Sequence, residues 1–282
     1  MKLFTILAMA SLSLSALAQS TTNLSSTSTS SSKWEEFKKD YDLGYSGFYS
    51  GQALSGLNES VRNTTDGSDA TQPLRYDSQL GFDKTIFGDK ELAFLIRWRN
   101  EIGGKGTNKT ENNSTLKDWR VGIQGTWYEN GNFSYWARFY LELPMSDNAK
   151  NNGRIGATAV SQDFAYRLND KVLIGAWQVT SYNYFNNETA APGQLRDNLY
   201  TYTAPYINVA ISDLATFKAY YEYEFGEANE GVYRRLQNDF LAGVDLQITK
   251  DWSFYPHVFV GLDNKINTDD VGLHFWLSGA FF

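Results

Sequence analysis

The feature that most constrains this chain is an alternation of apolar and polar residues with a period of two. Between residues 133 and 143 the odd positions are apolar or aromatic, while the even positions include Arg138 and Glu142. A helix would scatter these two sets around its circumference, whereas a strand separates them onto two faces. About eleven residues suffice to cross a bilayer at a tilt near 45°. The segment therefore predicts a long β-strand with one apolar face.

The same alternation recurs along the chain, interrupted by two kinds of connection. It is clear near 92–101, 119–127, 217–225, 239–248 and 252–262, and weaker near 43–56, 155–168 and 172–184. Short turns, most of which contain Asn, Asp or Gly, lie at 87–90, 129–132, 168–171, 212–215 and 249–251. Longer polar loops lie near 57–73, 103–117, 144–154, 185–197, 226–235 and 263–270. Because short and long connections alternate strictly, the pattern predicts twelve antiparallel strands.

These strands predict an all-β fold: a transmembrane antiparallel up-and-down β-barrel of about 12 strands over residues 42–282. Short turns at one end and long loops at the other are typical of bacterial outer-membrane barrels. A soluble β-sandwich or lipocalin-like barrel is the alternative, but it gives no reason for the alternating loop lengths. Aromatic residues near strand ends fit the girdles found at membrane interfaces. They are Trp98, Trp119, Trp127, Tyr221 and Trp252, together with Tyr45 and Tyr49.

The N-terminal segment carries the signals of an exported protein. Lys2 precedes an apolar run, and Ala16-Leu17-Ala18 has the pattern of a cleavage site. Residues 1–18 are therefore predicted to be a cleavable signal peptide, with a single membrane anchor as the rival interpretation.

Residues 19–41 are predicted to form a linker and a short helix. The first part is rich in Ser and Thr, a composition typical of flexible linkers. Trp34, Phe37 and Tyr41 then recur at helical spacing. This short amphipathic helix would cap the periplasmic mouth of the barrel, or alternatively plug it.

The C-terminal segment resembles the last strand of Gram-negative outer-membrane barrels. It reads VGLHFWLSGAFF, and its apolar stripe from Val271 to Phe281 runs one residue out of step with the terminal Phe282. By strand count the chain also looks like the small twelve-stranded channels for acidic oligosaccharides, sialic acid or nucleosides. The resemblance implies a location in the cell outer membrane and contact with its lipid and lipopolysaccharide. It further implies that the barrel insertion machinery recognises Phe282.

If the apolar faces meet lipid, the opposite faces line the lumen with charge. The cationic wall would comprise Arg75, Arg97, Arg99, Arg120, Arg138 and Arg167, and the anionic wall Glu222, Glu224, Asp239 and Asp245. Such a lumen predicts a porin-like channel for passive diffusion of small polar or charged solutes. Alternatively, the charges pair across a narrow lumen and plug it. Inward Tyr200, Tyr202, Tyr206, Tyr220 and Tyr255 would form a stacking track for sugars or simply fill space.

Other function classes have weaker support in the residues. Catalysis by Ser or Thr usually needs a histidine base, and only His257 and His274 occur, neither in an H-x-S arrangement. We predict a paired lumenal role for them and no catalytic residues. With no Cys and two His, no metal site or cofactor is predicted, although the loop at 263–270 could bind Ca²⁺ weakly. A net charge of −7 argues against nucleic-acid binding. The main alternative is a non-conducting structural or adhesive barrel acting through its external loops; the oligomeric state stays open.

Overall fold

A computed structural model describes Lys38 and residues 41–53, 74–102, 113–186, 197–228, 232–262 and 271–282. The chain divides into two units, Met1–Asp40 and Tyr41–Phe282, and the second contains all the strands described below. The predicted signal peptide and linker lie outside the described residues, as does the predicted helix except for Lys38, which is helical. Tyr41, which we placed in that helix, instead begins the first strand.

Nearly all of the described chain is β-strand. The strands are β1 (Tyr41–Ala53), β2 (Leu74–Phe87), β3 (Lys90–Ile102), β4 (Asn113–Leu116), β5 (Trp119–Asn130), β6 (Phe133–Leu143), β7 (Arg154–Arg167), β8 (Val172–Phe185), β9 (Asp197–Ser212), β10 (Ala215–Ala228), β11 (Val232–Thr249), β12 (Trp252–Gly261) and β13 (Val271–Ala280). One short helix, α1 (Asp147–Asn151), connects β6 to β7. Within these ranges no helix has the length and apolar character needed to cross a membrane.

The sheet closes on itself as an antiparallel barrel. Neighbours in sequence pair with each other, and β1 pairs with both β2 and β13, where Gly47 lies opposite Leu277. Strands β4 and β5 share one place in the ring, because both pair with the same edge of β3. The interruption between them falls at Lys117 and Asp118. The described strands thus form a closed twelve-strand barrel, which confirms the predicted fold class and strand count.

The five predicted short turns all join strands that pair with each other. Gly88 and Gly131 adopt φ values of 56° and 58° in two of these turns. That left-handed conformation costs glycine little and other residues considerably more. Turn chemistry therefore explains why these strands end where the sequence predicted.

The outer face of the barrel is apolar and the inner face is polar. Along β6, Phe139 and Leu141 expose 48% and 52% of their surface to the outside. Tyr140, which lies between them in sequence, points inward. Large apolar side chains are exposed in the same way on the other strands, including Leu92, Ile123, Phe164, Ile174, Ile207, Phe217, Phe240, Leu246, Val258 and Leu273. So much contiguous apolar surface is unfavourable in water, but a bilayer accommodates it. The molecule is a transmembrane β-barrel.

The weakly patterned region near 155–184 carries two glutamines among the apolar residues of its outer face. Gln162 of β7 donates a 3.2 Å hydrogen bond to Gln178 of β8 and accepts a 3.0 Å hydrogen bond from the Tyr135 hydroxyl of β6. Neighbouring strands thus supply the partners that lipid lacks. These outward glutamines break the simple alternation, which is why the strand register was only weakly predicted here.

Candidate pore lumen

The strand register turns most of the predicted cationic residues towards the lumen. Arg75 lies opposite Glu101 and Arg97 opposite Gln79 across β2 and β3. Arg120 of β5 and Arg138 of β6 lie on the same inner face. Arg167 is the last residue of β7 and is exposed at the short-turn end of the barrel. The structure therefore gathers five of the six predicted arginines along the β2–β6 side.

Carboxylates from the same strands are interleaved with these arginines. Arg99 donates two hydrogen bonds to Asp77, at 2.7 and 3.0 Å, in the forked geometry that suits a guanidinium. Arg75 and Lys117 lie 3.7 and 3.5 Å from the second oxygen of Asp77. One inward aspartate is thus shared by three cations.

Glu142 is the second centre of this network. It accepts a 2.7 Å hydrogen bond from Arg120 and lies 3.7 Å from Arg97. It also pairs with Arg154, which in turn lies 2.8 Å from Asp118. The side that we predicted to be a cationic wall is therefore an ion-pair network, because Asp77 and Glu142 each lie within reach of several arginines.

Arg154 was missed by the sequence analysis. It is the first residue of β7, directly after the loop that contains α1, so the alternation of the strand gave no signal for its direction. Asp118 and Glu142 hold it, and Asp118 also accepts a 2.9 Å hydrogen bond from the Ser146 amide. The Ser146 hydroxyl caps α1 by accepting from the Ala149 amide at 3.2 Å. This arrangement fastens the β6–β7 loop to the interruption between β4 and β5.

A second polar cluster lies further along the same side. Arg138 donates a 2.5 Å hydrogen bond to Gln124, and Gln124 donates a 2.8 Å hydrogen bond to Glu91. Asp83 of β2 lies within electrostatic range of Arg138. Charges on this side are thus compensated along its length.

The predicted anionic residues line the opposite side, mostly beside tyrosines. Glu222 accepts a 2.5 Å hydrogen bond from the Tyr202 hydroxyl, and Glu224 accepts one from Tyr200. Glu224 also interacts electrostatically with Arg75, which lies on the other side of the lumen. Asp245 pairs with Lys218 at 2.6 Å, and Asp239 is buried on the inner face of β11.

Three of the five predicted tyrosines contact one another on the inner face. The ring of Tyr220 is centred 5.6 Å from that of Tyr206 and 6.2 Å from that of Tyr255. Tyr206 donates a 2.9 Å hydrogen bond to Asp163, an inward carboxylate of β7 that the sequence analysis did not single out. Its place in the weakly patterned region explains the omission. This side therefore combines aromatic faces with carboxylates.

The two histidines are neighbours on the inner face of β12 and β13. His257 and His274 lie directly opposite each other, with ring centroids 5.7 Å apart. They are only 2% and 4% exposed, and Phe48 and Phe259 stack against them at 6.1 and 4.7 Å. The His257 Nδ1–H donates to the Tyr255 carbonyl at 3.1 Å. The arrangement is a packed aromatic cluster in the barrel wall.

A cavity of about 640 Å³ lies inside the barrel at the end nearest the β6–β7 loop. Residues of the ion-pair network line one side of it, among them Arg97, Arg120 and Glu142, and Tyr200 lines the other. Trp276, an inward residue of β13, exposes 43% of its surface. The interior thus contains open space beside charged and aromatic side chains.

The five predicted girdle residues all lie on the outer face. Trp127 packs edge-on against Phe139 at 5.5 Å, and Trp252 packs against Phe281 at 5.3 Å. Trp119 and Trp98 contact aromatic neighbours in the same way. Tyr221 lies midway along β10. Whether they lie at the membrane interfaces remains a prediction.

A barrel with a lipid-compatible outer face and a charged interior with open space defines the class of transmembrane β-barrels. No protein-family model and no curated protein sequence matches this chain. Among solved structures, the fold is similar to an outer membrane channel from Pseudomonas putida F1, with 10% identity, a TM-score of 0.61, and coverage of 86% of this chain and 96% of that one. It is also similar to the NanC porin, with 9% identity, a TM-score of 0.50, and coverage of 85% and 99%.

Proposed function

We propose that this protein is a porin-like channel of the outer membrane through which small polar or charged solutes diffuse passively. The observation that carries the proposal is the lumen, where a cavity of about 640 Å³ is bordered by partly exposed charged side chains of the ion-pair network on one side and by Tyr200 on the other. Charged groups that are not fully paired cost several kcal/mol in a dry interior. Water must therefore enter this lumen, and a hydrated lumen through a membrane is a pathway for solutes.

The location and the partners belong to the same proposal. The apolar outer face supports contact with outer-membrane lipid and lipopolysaccharide. The strand that ends the barrel presents Phe281 beside the outward Trp252, and the Phe282 carbonyl accepts a hydrogen bond from Leu43. Recognition of Phe282 by the barrel insertion machinery, and export by the signal peptide at 1–18, complete the proposed route to the membrane.

Conductance of single barrels in planar lipid bilayers tests the channel. We expect purified protein to give discrete, stepwise current increases at a fixed voltage. If the heat-dependent change in gel migration shows that the protein is folded, yet no discrete current steps are seen, the proposal is refuted.

A non-conducting barrel that acts through its external loops is the second candidate. The observation that favours it is the β6–β7 loop, which Asp118 and Arg154 hold beside the lumen network. Deletion of loops 57–73 and 103–117 separates the two functions. Lost surface binding with unchanged permeability would favour the second candidate.

We further propose that the barrel has no enzymatic activity. A histidine that acts as a general base must reach a proton of the substrate within hydrogen-bond distance. His257 and His274 are instead enclosed by aromatic rings, with 2% and 4% exposure. Substitution of both by phenylalanine, followed by assays of phospholipid and lipid A turnover, checks this: activity in the native protein that the variant loses would contradict it.

A further inference from the structure

The two sides of the lumen neutralise their charges differently. On the β2–β6 side, Asp77 and Glu142 are each surrounded by cationic side chains. On the other side, Glu222 is hydrogen-bonded by Tyr202, and Asp163 by Tyr206. In the described part of the chain, neither Glu222 nor Asp163 contacts a cationic side chain. A neutral hydroxyl supplies no countercharge, so these two carboxylates are free to pair with a cation that enters the lumen.

Tyr220 lies at the centre of this acidic surface. Its ring lies between those of Tyr206 and Tyr255, at 5.6 and 6.2 Å. It is within electrostatic range of both Asp163 and Glu222. The face of an aromatic ring carries negative electrostatic potential and binds cations, and quaternary ammonium groups are recognised by such faces. Ring faces and carboxylates together suit a positively charged organic group.

The protein already holds one ammonium group in this chemical environment. Nζ of Lys218 lies 2.6 Å from the Asp245 carboxylate and 5.7 Å from the centre of the Tyr255 ring. An alkylammonium is thus accommodated between a carboxylate and a tyrosine face on the same side of the lumen. The contacts of Lys218 therefore indicate that the neighbouring surface suits a ligand with an ammonium group.

From these contacts we propose that Asp163, Glu222 and Tyr220 form a lumenal site for small organic ammonium cations. The same site gives the pore a preference for cations over anions. The inference rests on the proposed channel function and names its solute class. Its physical basis is that Asp77 and Glu142 are compensated by the cations around them, while Asp163 and Glu222 have tyrosine hydroxyls as partners and can accept a cation from the lumen.

The charge selectivity of single channels is the first test. In a KCl gradient, the reversal potential of the native barrel is expected to lie closer to the equilibrium potential of potassium than to that of chloride. The double substitution Asp163→Asn and Glu222→Gln should move it towards chloride, and both changes preserve side-chain shape. Asp213→Asn removes one exposed charge in the turn after β9 and serves as the control, with no shift expected.

Block by tetramethylammonium chloride is the second test. Tyr220→Leu should weaken block of the potassium current by about 2- to 5-fold, which corresponds to the 0.5–1 kcal/mol typical of an exposed cation–π contact. Tyr223→Leu removes an outward ring three residues along the same strand and should not change block.

The outcomes separate this inference from the proposed function. A folded barrel without discrete conductance refutes both. A conducting barrel that prefers chloride, or whose potassium preference survives the double substitution, refutes the cation site alone. Equal block of the Tyr220→Leu and native channels refutes the role of the ring. If the double variant does not insert, the isosteric single substitution Glu222→Gln decides by the same measurement.

Discussion

Glu142 offers the sharpest test of how the lumen network is held together. It faces Arg97, Arg120 and Arg154, and its side chain is only 10% exposed. The substitution Glu142→Gln keeps the volume and removes the charge, so the guanidinium groups repel each other with less compensation. Loss of one partner of a fully buried pair costs about 3–5 kcal/mol, and an exposed pair contributes about 0–1 kcal/mol. Because the three arginines retain 17–24% exposure, we expect a loss of about 1–3 kcal/mol.

The assay is urea unfolding of the barrel in lipid vesicles, followed by the fluorescence of the protein's tryptophans, seven of which lie within residues 41–282. The midpoint should fall while the slope stays unchanged, since the same surface is exposed on unfolding. Asp213→Asn removes the same charge from an exposed turn and should leave the midpoint within error. A Glu142→Gln barrel as stable as this control would refute the ion-pair account of the β2–β6 side.

Three further predictions concern backbone, packing and loop attachment. Gly125→Ala should destabilise more than Gly88→Ala, because Gly125 combines φ of 147° with a Cβ position 2.5 Å from the Asp89 carbonyl, whereas Gly88 has open space; unfolding midpoints decide the order, and equal losses would contradict it. His257→Asp should lower stability by about 3 kcal/mol or more, since it places an unpaired charge in an aromatic cluster, whereas a midpoint equal to the native one would show that the cluster is wet. Asp118→Asn should loosen the β6–β7 loop and speed its cleavage by added protease, and an unchanged cleavage rate would argue against the attachment.

The strands were predictable where the outer face is uniformly apolar. Strand β6 runs from Phe133 to Leu143, as its alternation predicted, and both histidines face inward as expected. The prediction weakened at β7 and β8, because Gln162 and Gln178 satisfy each other on the outer face through a contact that no single strand reveals.

The lumen was only partly predictable. The alternation along one strand shows whether a side chain points inward, but it does not show which residue of another strand that side chain contacts. The arginines and glutamates were assigned to their inner faces from the alternation. Glu142 lay in the same inward set as Arg138, so the mixing of charges had a visible signal. Arg154 had none, since its position depends on how the preceding loop returns to the barrel. The inward direction of Asp163 could not be predicted, because the sequence pattern did not define the register of β7.

The seam where Gly47 of β1 meets Leu277 of β13 has a consequence for the order of events during biogenesis. Every other pair of adjacent strands joins segments that are close in sequence, but this one joins segments from opposite ends of the barrel. Such distant pairing is intrinsically slow, because loop-closure entropy opposes it before any contact compensates. Until β1 and β13 pair, the folding sheet has two open edges. Closure of the barrel therefore depends on β13, and a chain in which β13 has not yet paired keeps two open strand edges.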